Sequence, residues 1–145
     1  MTNQTRLAAF GAILGMFLAA PASRAQGPYC SNATMNGTYV LTATGTVTTP
    51  AGPVAFTVIG KVTYFGDGTG SLTFSTSSTG GTVSRISGPV PGTYTVKSDC
   101  TGSKVFGGVQ HYDFVIAPDG RVITWIVTDA GVSVSGQAVR MDGQS

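Results

Sequence analysis

Beyond residue 36 the chain is built from short runs rich in Thr, Val and Ser, in which apolar and polar side chains alternate. Gly, Pro and Asp-Gly turns separate these runs. Alternation with a period of two is typical of β-strands that turn one face to a core and the other to water. We predict strands at 37–47, 54–65, 71–76, 82–87, 93–98, 109–117, 121–128 and 132–140.

The connections between these strands are short, which favours an antiparallel meander. About eight meandering strands close readily into a barrel, and closure leaves no strand edge unpaired. We therefore predict an all-β fold with one barrel domain over 37–145, preceded by an irregular arm over 26–36. A sandwich of two sheets is the alternative fold.

The alternation also predicts which side chains point into the barrel. The inward aromatic residues are Tyr39, Phe56, Tyr64, Phe74, Tyr94, Tyr112, Phe114 and, in a less regular strand, Trp125. They could fill a narrow barrel as a dry core, or they could line a ligand pocket at the barrel mouth. The candidate lining residues are Tyr39, Phe56, Tyr64, Tyr94, Tyr112 and Trp125. A pocket of roughly 300 Å³ or more, open to solvent, would favour the second interpretation.

The first 25 residues have the features of a secretory signal peptide. Arg6 precedes an apolar run over 7–20, and the small residues Ser23 and Ala25 place a cleavage site before Gln26. The run is shorter than the roughly 20 residues that a spanning helix needs. We expect a secreted or periplasmic protein without a stable membrane anchor.

The chain has two cysteines, Cys30 and Cys100. In an exported protein an even pair predicts a disulfide. Free thiols or a redox pair are the alternative, although no C-x-x-C motif supports them.

Charge argues against a nucleic-acid partner. Loss of 1–25 would remove two of the eight basic residues, and the remaining six would balance six Asp in a chain without Glu. These charges are scattered, so no basic stripe is available to neutralise phosphates. The oligomeric state is left open.

Few residues have the chemistry of a catalytic or metal site. His111 is the single histidine, no G-x-S-x-G motif surrounds a serine, and the turn at Asp67 offers too few oxygen ligands for calcium. We assign no catalytic residue, no metal and no cofactor, and we expect no enzyme of a familiar hydrolytic or metal-dependent kind.

The segments Gly-Thr-Tyr-Thr-Val at 92–96, Asp-Cys-Thr-Gly-Ser at 99–103 and Phe-Gly-Asp-Gly-Thr-Gly at 65–70 carry a resemblance. The chain resembles small exported bacterial proteins of unassigned function. More distantly it is similar to calycin-type barrels, including lipocalins and the allene-oxide-cyclase and dirigent-like barrels. The Gly-x-Trp that marks lipocalins is absent, because Tyr follows two residues after Gly37 and Gly92. The resemblance implies a barrel and an apolar pocket.

Three functional hypotheses follow. The first is a small binding module that holds an apolar molecule at the barrel mouth. The second is a structural or interaction protein of the envelope or extracellular matrix that has no ligand. The third is a cyclase- or isomerase-like barrel enzyme that shapes its substrate.

Overall fold

A computed structural model describes residues 29–141 of the chain. Its elements are a single-turn 3-10 helix (Asn32–Thr34) and the strands β1 (Asn36–Thr49), β2 (Gly52–Phe65), β3 (Thr69–Thr79), β4 (Thr82–Val96), β5 (Thr101–Phe106), β6 (Gln110–Ile116), β7 (Val122–Val127) and β8 (Val132–Arg140). Each strand pairs antiparallel with the next, and β8 pairs with β1 to close a barrel. The predicted fold is confirmed. The predicted signal peptide lies outside the described residues.

The inward positions follow the sequence alternation in most strands. In β1, for example, Tyr39 and Ala43 are buried while Val40 and Thr42 are exposed. The buried apolar side chains form one continuous core inside the barrel: Cys30, Met35, Tyr39, Ala43, Val62, Tyr64, Tyr94, Val96, Cys100, Phe106, Phe114, Ile116, Ile123, Trp125, Val127, Val134 and Ala138.

Two strand assignments differ from the sequence prediction. The predicted strands 82–87 and 93–98 form the single strand β4, which continues through Pro89 and Pro91. Only positions 92–96 of β4 pair with β5, so the earlier part has β3 as its one neighbour. Proline is tolerated there because an edge strand need not donate a hydrogen bond on its free side. The strand β5 was not predicted.

The inward direction predicted for Phe74 is wrong. Thr73 is an extra residue in β3, since Lys61 pairs with Phe74 and the next residue, Val62, pairs with Leu72. Such a bulge shifts the alternation by one position. Phe74 is therefore 43% exposed on the outer face, and Ser75 is buried in its place.

The arm before β1 covers one end of the barrel. A disulfide joins Cys30 in the arm to Cys100 after β4, with 5.0 Å between the two Cα atoms. This confirms the predicted pairing, and such a buried bridge fits an oxidising compartment. Met35, which follows the 3-10 helix, has no exposed surface. We call this end the closed end.

The opposite end carries the turns of the β1–β2, β3–β4, β5–β6 and β7–β8 hairpins. Ile86 and Val109 at this end are 42% and 71% exposed. No corresponding segment of residues 29–141 covers it. We call this end the mouth.

Candidate functional site

A cavity of about 590 Å³ occupies the barrel interior on the side of the mouth. Most of its wall is apolar. The apolar wall residues come from β1 to β5, from the turn between β5 and β6, and from β7 and β8: Leu41, Val47, Phe56, Val58, Leu72, Ile86, Phe106, Val109, Val127, Val132 and Val134. The exposed residues Val109 and Gln110 also belong to the wall, so the cavity opens to solvent. Its size lies in the range of small-molecule sites.

Lys104 is a buried cation in the wall of this cavity. The side chain is 5% exposed, and its Nζ atom donates a hydrogen bond of 3.0 Å to the hydroxyl oxygen of Tyr64. Nζ also lies 5.1 to 5.9 Å from the centres of the four rings of Tyr64, Phe106, Tyr112 and Trp125. The rings present an aromatic cage to the ammonium group, which favours its charged form.

The pairing of β5 explains why Lys104 points inward. Its partners across the two neighbouring ladders are Tyr94 in β4 and Tyr112 in β6, whose side chains face the interior. Directly opposite residues of adjacent strands lie on the same face of a sheet. Phe106, two residues further along β5, is buried on that face as well.

Burial lowers the pKa of Lys104 to about 7, because the charged form loses its hydration inside the protein. No ion pair of Lys104 offsets this loss within residues 29–141. Burial also raises the pKa of Tyr64 well above its usual value and that of Tyr112 to about 12. Both phenols therefore stay protonated at neutral pH.

Trp125 adds a second buried donor. Its side chain lines the cavity and meets the Tyr112 ring edge-on, with the ring centres 5.2 Å apart. Its indole Nε1 is buried and finds no acceptor among the described residues. Buried donors normally have a partner, so an indole N–H without one is unusual.

A carboxylate lies at the mouth. Asp129, between β7 and β8, belongs to the cavity wall and accepts two hydrogen bonds from His111, one from its backbone N–H at 2.9 Å and one from Nδ1 at 2.7 Å. These bonds lower the pKa of Asp129, so its carboxylate is ionised at neutral pH. Nearby, the Tyr112 hydroxyl donates to Gln110 Oε1 at 2.9 Å.

The six residues predicted from the sequence as pocket lining divide into two groups. Phe56, Tyr64, Tyr112 and Trp125 line the cavity. Tyr39 and Tyr94 lie outside that lining, at the closed end.

Tyr39 and Tyr94 hold the closed end together by hydrogen bonds to backbone carbonyls. The Tyr39 hydroxyl donates to the Gly120 carbonyl at 2.6 Å, and the Tyr94 hydroxyl donates to that of Met35 at 2.9 Å. Both rings pack edge-on against Tyr64, with centre distances of 5.5 and 5.3 Å. Tyr64 therefore separates the cavity from the closed end, and we call it the floor of the cavity.

Lys104 was missed as a site residue by reasoning from the sequence. The segment Thr-Gly-Ser-Lys-Val-Phe has no clear alternation, and lysine is rarely buried. The one available signal is that Lys104 and Phe106 are two residues apart. In a strand such residues point to the same face, so an inward Phe106 would place Lys104 on the inner face as well.

The described residues contain no cluster of three or more His, Cys, Asp or Glu side chains that could hold a metal ion. In the same part of the chain no helix has the length and hydropathy to cross a membrane. No family model, no curated protein and no solved structure matches the chain.

Proposed function

We propose that this protein is an exported binding module that holds an apolar small molecule inside its barrel. The observation that carries the proposal is the interior cavity of about 590 Å³, which opens at the mouth and ends at Tyr64. A barrel filled by its own side chains would have left only the outer surface for function. An apolar wall of this extent stabilises a bound hydrocarbon by removing its surface from water.

The closed end supports the same role. The disulfide, the 3-10 helix and the hydrogen bonds of Tyr39 and Tyr94 fix one end of the barrel. A preformed pocket costs little reorganisation when a ligand enters. The buried disulfide also fits a protein that acts outside the reducing cytoplasm.

Binding of 1-decanol tests the proposal with a neutral probe. Trp125 is the single tryptophan and lines the cavity, so its fluorescence reports occupation directly. We expect saturable quenching or enhancement by 1-decanol. Native mass spectrometry of protein from its exported fraction would show whether an apolar molecule copurifies.

A matched pair of variants locates the binding. Ser77 lies in the cavity wall, whereas its neighbour Ser78 is not part of that wall. Ser77→Trp should fill the mouth and abolish 1-decanol binding, measured calorimetrically because the variant adds a second indole. Ser78→Trp should bind as the wild type does. Absence of binding in the wild type, or equal binding by both variants, would contradict the proposed site.

The other two hypotheses predict different results. A structural or interaction protein would give no bound small molecule and a defined oligomer in native mass spectra. A cyclase- or isomerase-like enzyme would return the copurified molecule chemically altered after incubation.

A further inference from the structure

We infer that the ligand enters the cavity head first and that its head is a carboxylate, which accepts hydrogen bonds from Lys104 at the cavity floor. This inference rests on the proposed function and specifies the chemical class of the ligand: an apolar molecule that ends in an acid group.

The donors at the floor exceed the acceptors. A lysine ammonium has three N–H donors, and one of those of Lys104 goes to Tyr64. The Tyr64 hydroxyl accepts this bond and so keeps its own O–H as a donor. Trp125, whose ring centre lies 5.1 Å from Lys104 Nζ, also has its Nε1–H buried without an acceptor in the described chain. An acceptor with two oxygens and a negative charge satisfies this set better than any neutral group.

The sign of the charge points the same way. An aromatic cage often receives a cationic ligand. In this barrel the protein itself supplies the cation, since Lys104 Nζ lies within 5.9 Å of four ring centres. A cationic ligand would be repelled, and a neutral ligand would leave the ammonium group without a counter-charge in a desolvated site.

Charge along the cavity sets the direction of the ligand. Asp129 places a negative charge at the mouth, and Lys104 places a positive charge next to the floor residue Tyr64. Between them the wall is formed by apolar side chains such as Val47, Phe56 and Val132. An acid head is therefore attracted inward and kept from the rim, while the hydrocarbon part contacts the apolar wall.

The loss of folding stability that a buried Lys104 causes supports a role for this residue in binding. A buried ammonium group without a carboxylate partner destabilises a fold, and an apolar residue of similar length would pack at the same position without that cost. Proteins commonly keep such destabilising groups where function requires them.

The test compares decanoate with 1-decanol, two probes with the same number of carbon atoms and different heads. Affinities are measured by isothermal titration calorimetry and by Trp125 fluorescence. A charge-assisted hydrogen bond corresponds to about tenfold to hundredfold in affinity. We expect the wild type to prefer decanoate by this factor, and Lys104→Met to lose the preference while it still binds 1-decanol.

Lys61→Met is the matched control, because Lys61 is an exposed lysine on the outer face of β2. It should keep the preference for decanoate. Equal affinity of the wild type for both probes, or an unchanged preference in Lys104→Met, would overturn the inference and leave the proposed function intact. Failure of both probes to bind the wild type would instead contradict the proposed function.

A second readout is proton uptake. The titratable groups facing Lys104 are Tyr64 from β2, Tyr94 from β4 and Tyr112 from β6, and Asp129 lies at the mouth of the same cavity. The tyrosines stay neutral and Asp129 stays ionised at pH 8. Only Lys104 then gains a proton when the acid head binds.

Calorimetry in two buffers with different ionisation enthalpies should give uptake of most of one proton per decanoate at pH 8. The Lys104→Met variant should give none. Absence of uptake by the wild type, together with equal affinity for decanoate and 1-decanol, would contradict an ion pair between decanoate and Lys104.

Discussion

Lys104 and Tyr64 are joined by a hydrogen bond of 3.0 Å across the barrel interior, although their strands, β5 and β2, are not neighbours in the sheet. The bond therefore links two opposite parts of the wall rather than two adjacent strands. It places a titratable cation inside a barrel whose interior is narrow enough for side chains to span. The stability of the fold should depend on the charge of this one residue.

We predict that Lys104→Met stabilises the protein at pH 7 by about 1–4 kcal/mol, because the substitution removes a buried charge that has no carboxylate partner. The free energy of unfolding is measured by urea denaturation, followed by far-ultraviolet circular dichroism. Lys61→Met, on the outer face, should change it by less than about 0.5 kcal/mol. A loss of stability in Lys104→Met would show that the cage holds the ammonium at no net cost.

The pH dependence of stability gives a separate prediction. The pKa of Lys104 is about 7 in the folded protein, against about 10.4 in the unfolded chain, so the unfolded state binds more protons between these values. Stability should therefore rise with pH above 7, at up to about 1.4 kcal/mol per pH unit.

The rise should end near pH 10. Tyr64 and Tyr112 have raised pKa values in the folded protein, so above about pH 10 their ionisation favours the unfolded chain. Urea denaturation at several pH values between 6 and 11 tests both limbs. In Lys104→Met the free energy of unfolding should no longer rise between pH 7 and 10, but it should still fall above pH 10. A wild type whose stability is flat from pH 7 to 9 would contradict the buried, uncompensated lysine.

The two groups of tyrosines should respond differently to loss of the hydroxyl group. Tyr39→Phe leaves the buried Gly120 carbonyl without its hydrogen bond, which should cost about 1–3 kcal/mol of stability. Affinity for 1-decanol should stay the same, because Tyr39 is outside the cavity wall.

Tyr112→Phe is the matched comparison. Its hydroxyl bonds to the exposed Gln110 side chain, so the stability change should stay below about 0.5 kcal/mol. Urea denaturation measures the stability of both variants, and titration with 1-decanol measures their affinity for the ligand. Weakened binding in Tyr39→Phe at unchanged stability would assign that residue to the pocket after all.

The sequence predicted the barrel because most strands alternate regularly and end at Gly, Pro or Asp-Gly turns. It did not predict the extent of β4, since Pro89 and Pro91 normally end a strand and their free edge is visible only in the assembled sheet. It also missed β5, where Lys104 occupies an inward position that burial preferences argue against. The rule that apolar side chains are buried and charged ones exposed located the core correctly. The same rule places Lys104 on the surface, and the site residue was therefore missed.

The position of Phe74 illustrates a second limit. The alternation around it is regular, and nothing in the local sequence marks Thr73 as an extra residue. The bulge changes the pairing with β2 on one side and lies at the irregularity in β4 on the other. Its location depends on how the barrel closes, which is a property of all the strands together.

The disulfide should stabilise the closed end without forming part of the pocket. It closes a loop of 70 residues between Cys30 and Cys100, for which chain entropy suggests about 4 kcal/mol. The double variant Cys30→Ala, Cys100→Ala should lose stability of this order in urea denaturation. At temperatures where it stays folded it should bind 1-decanol as the wild type does. A loss of binding by the folded variant would show that the arm also shapes the cavity.

The seam between β1 and β8 depends on glycine. Gly45 in β1 and Gly136 in β8 occur at inward positions of this seam, and at Gly136 a Cβ atom would overlap the Thr42 carbonyl oxygen and the Ala43 side chain. Because backbone cannot move aside without breaking the ladder, Gly136→Ala should cost about 1–3 kcal/mol. The adjacent variant Ser135→Ala, on the exposed face, should change stability by less than about 0.5 kcal/mol. Urea denaturation compares the two, and equal stabilities would mean that the strands at this seam lie further apart than the structure places them.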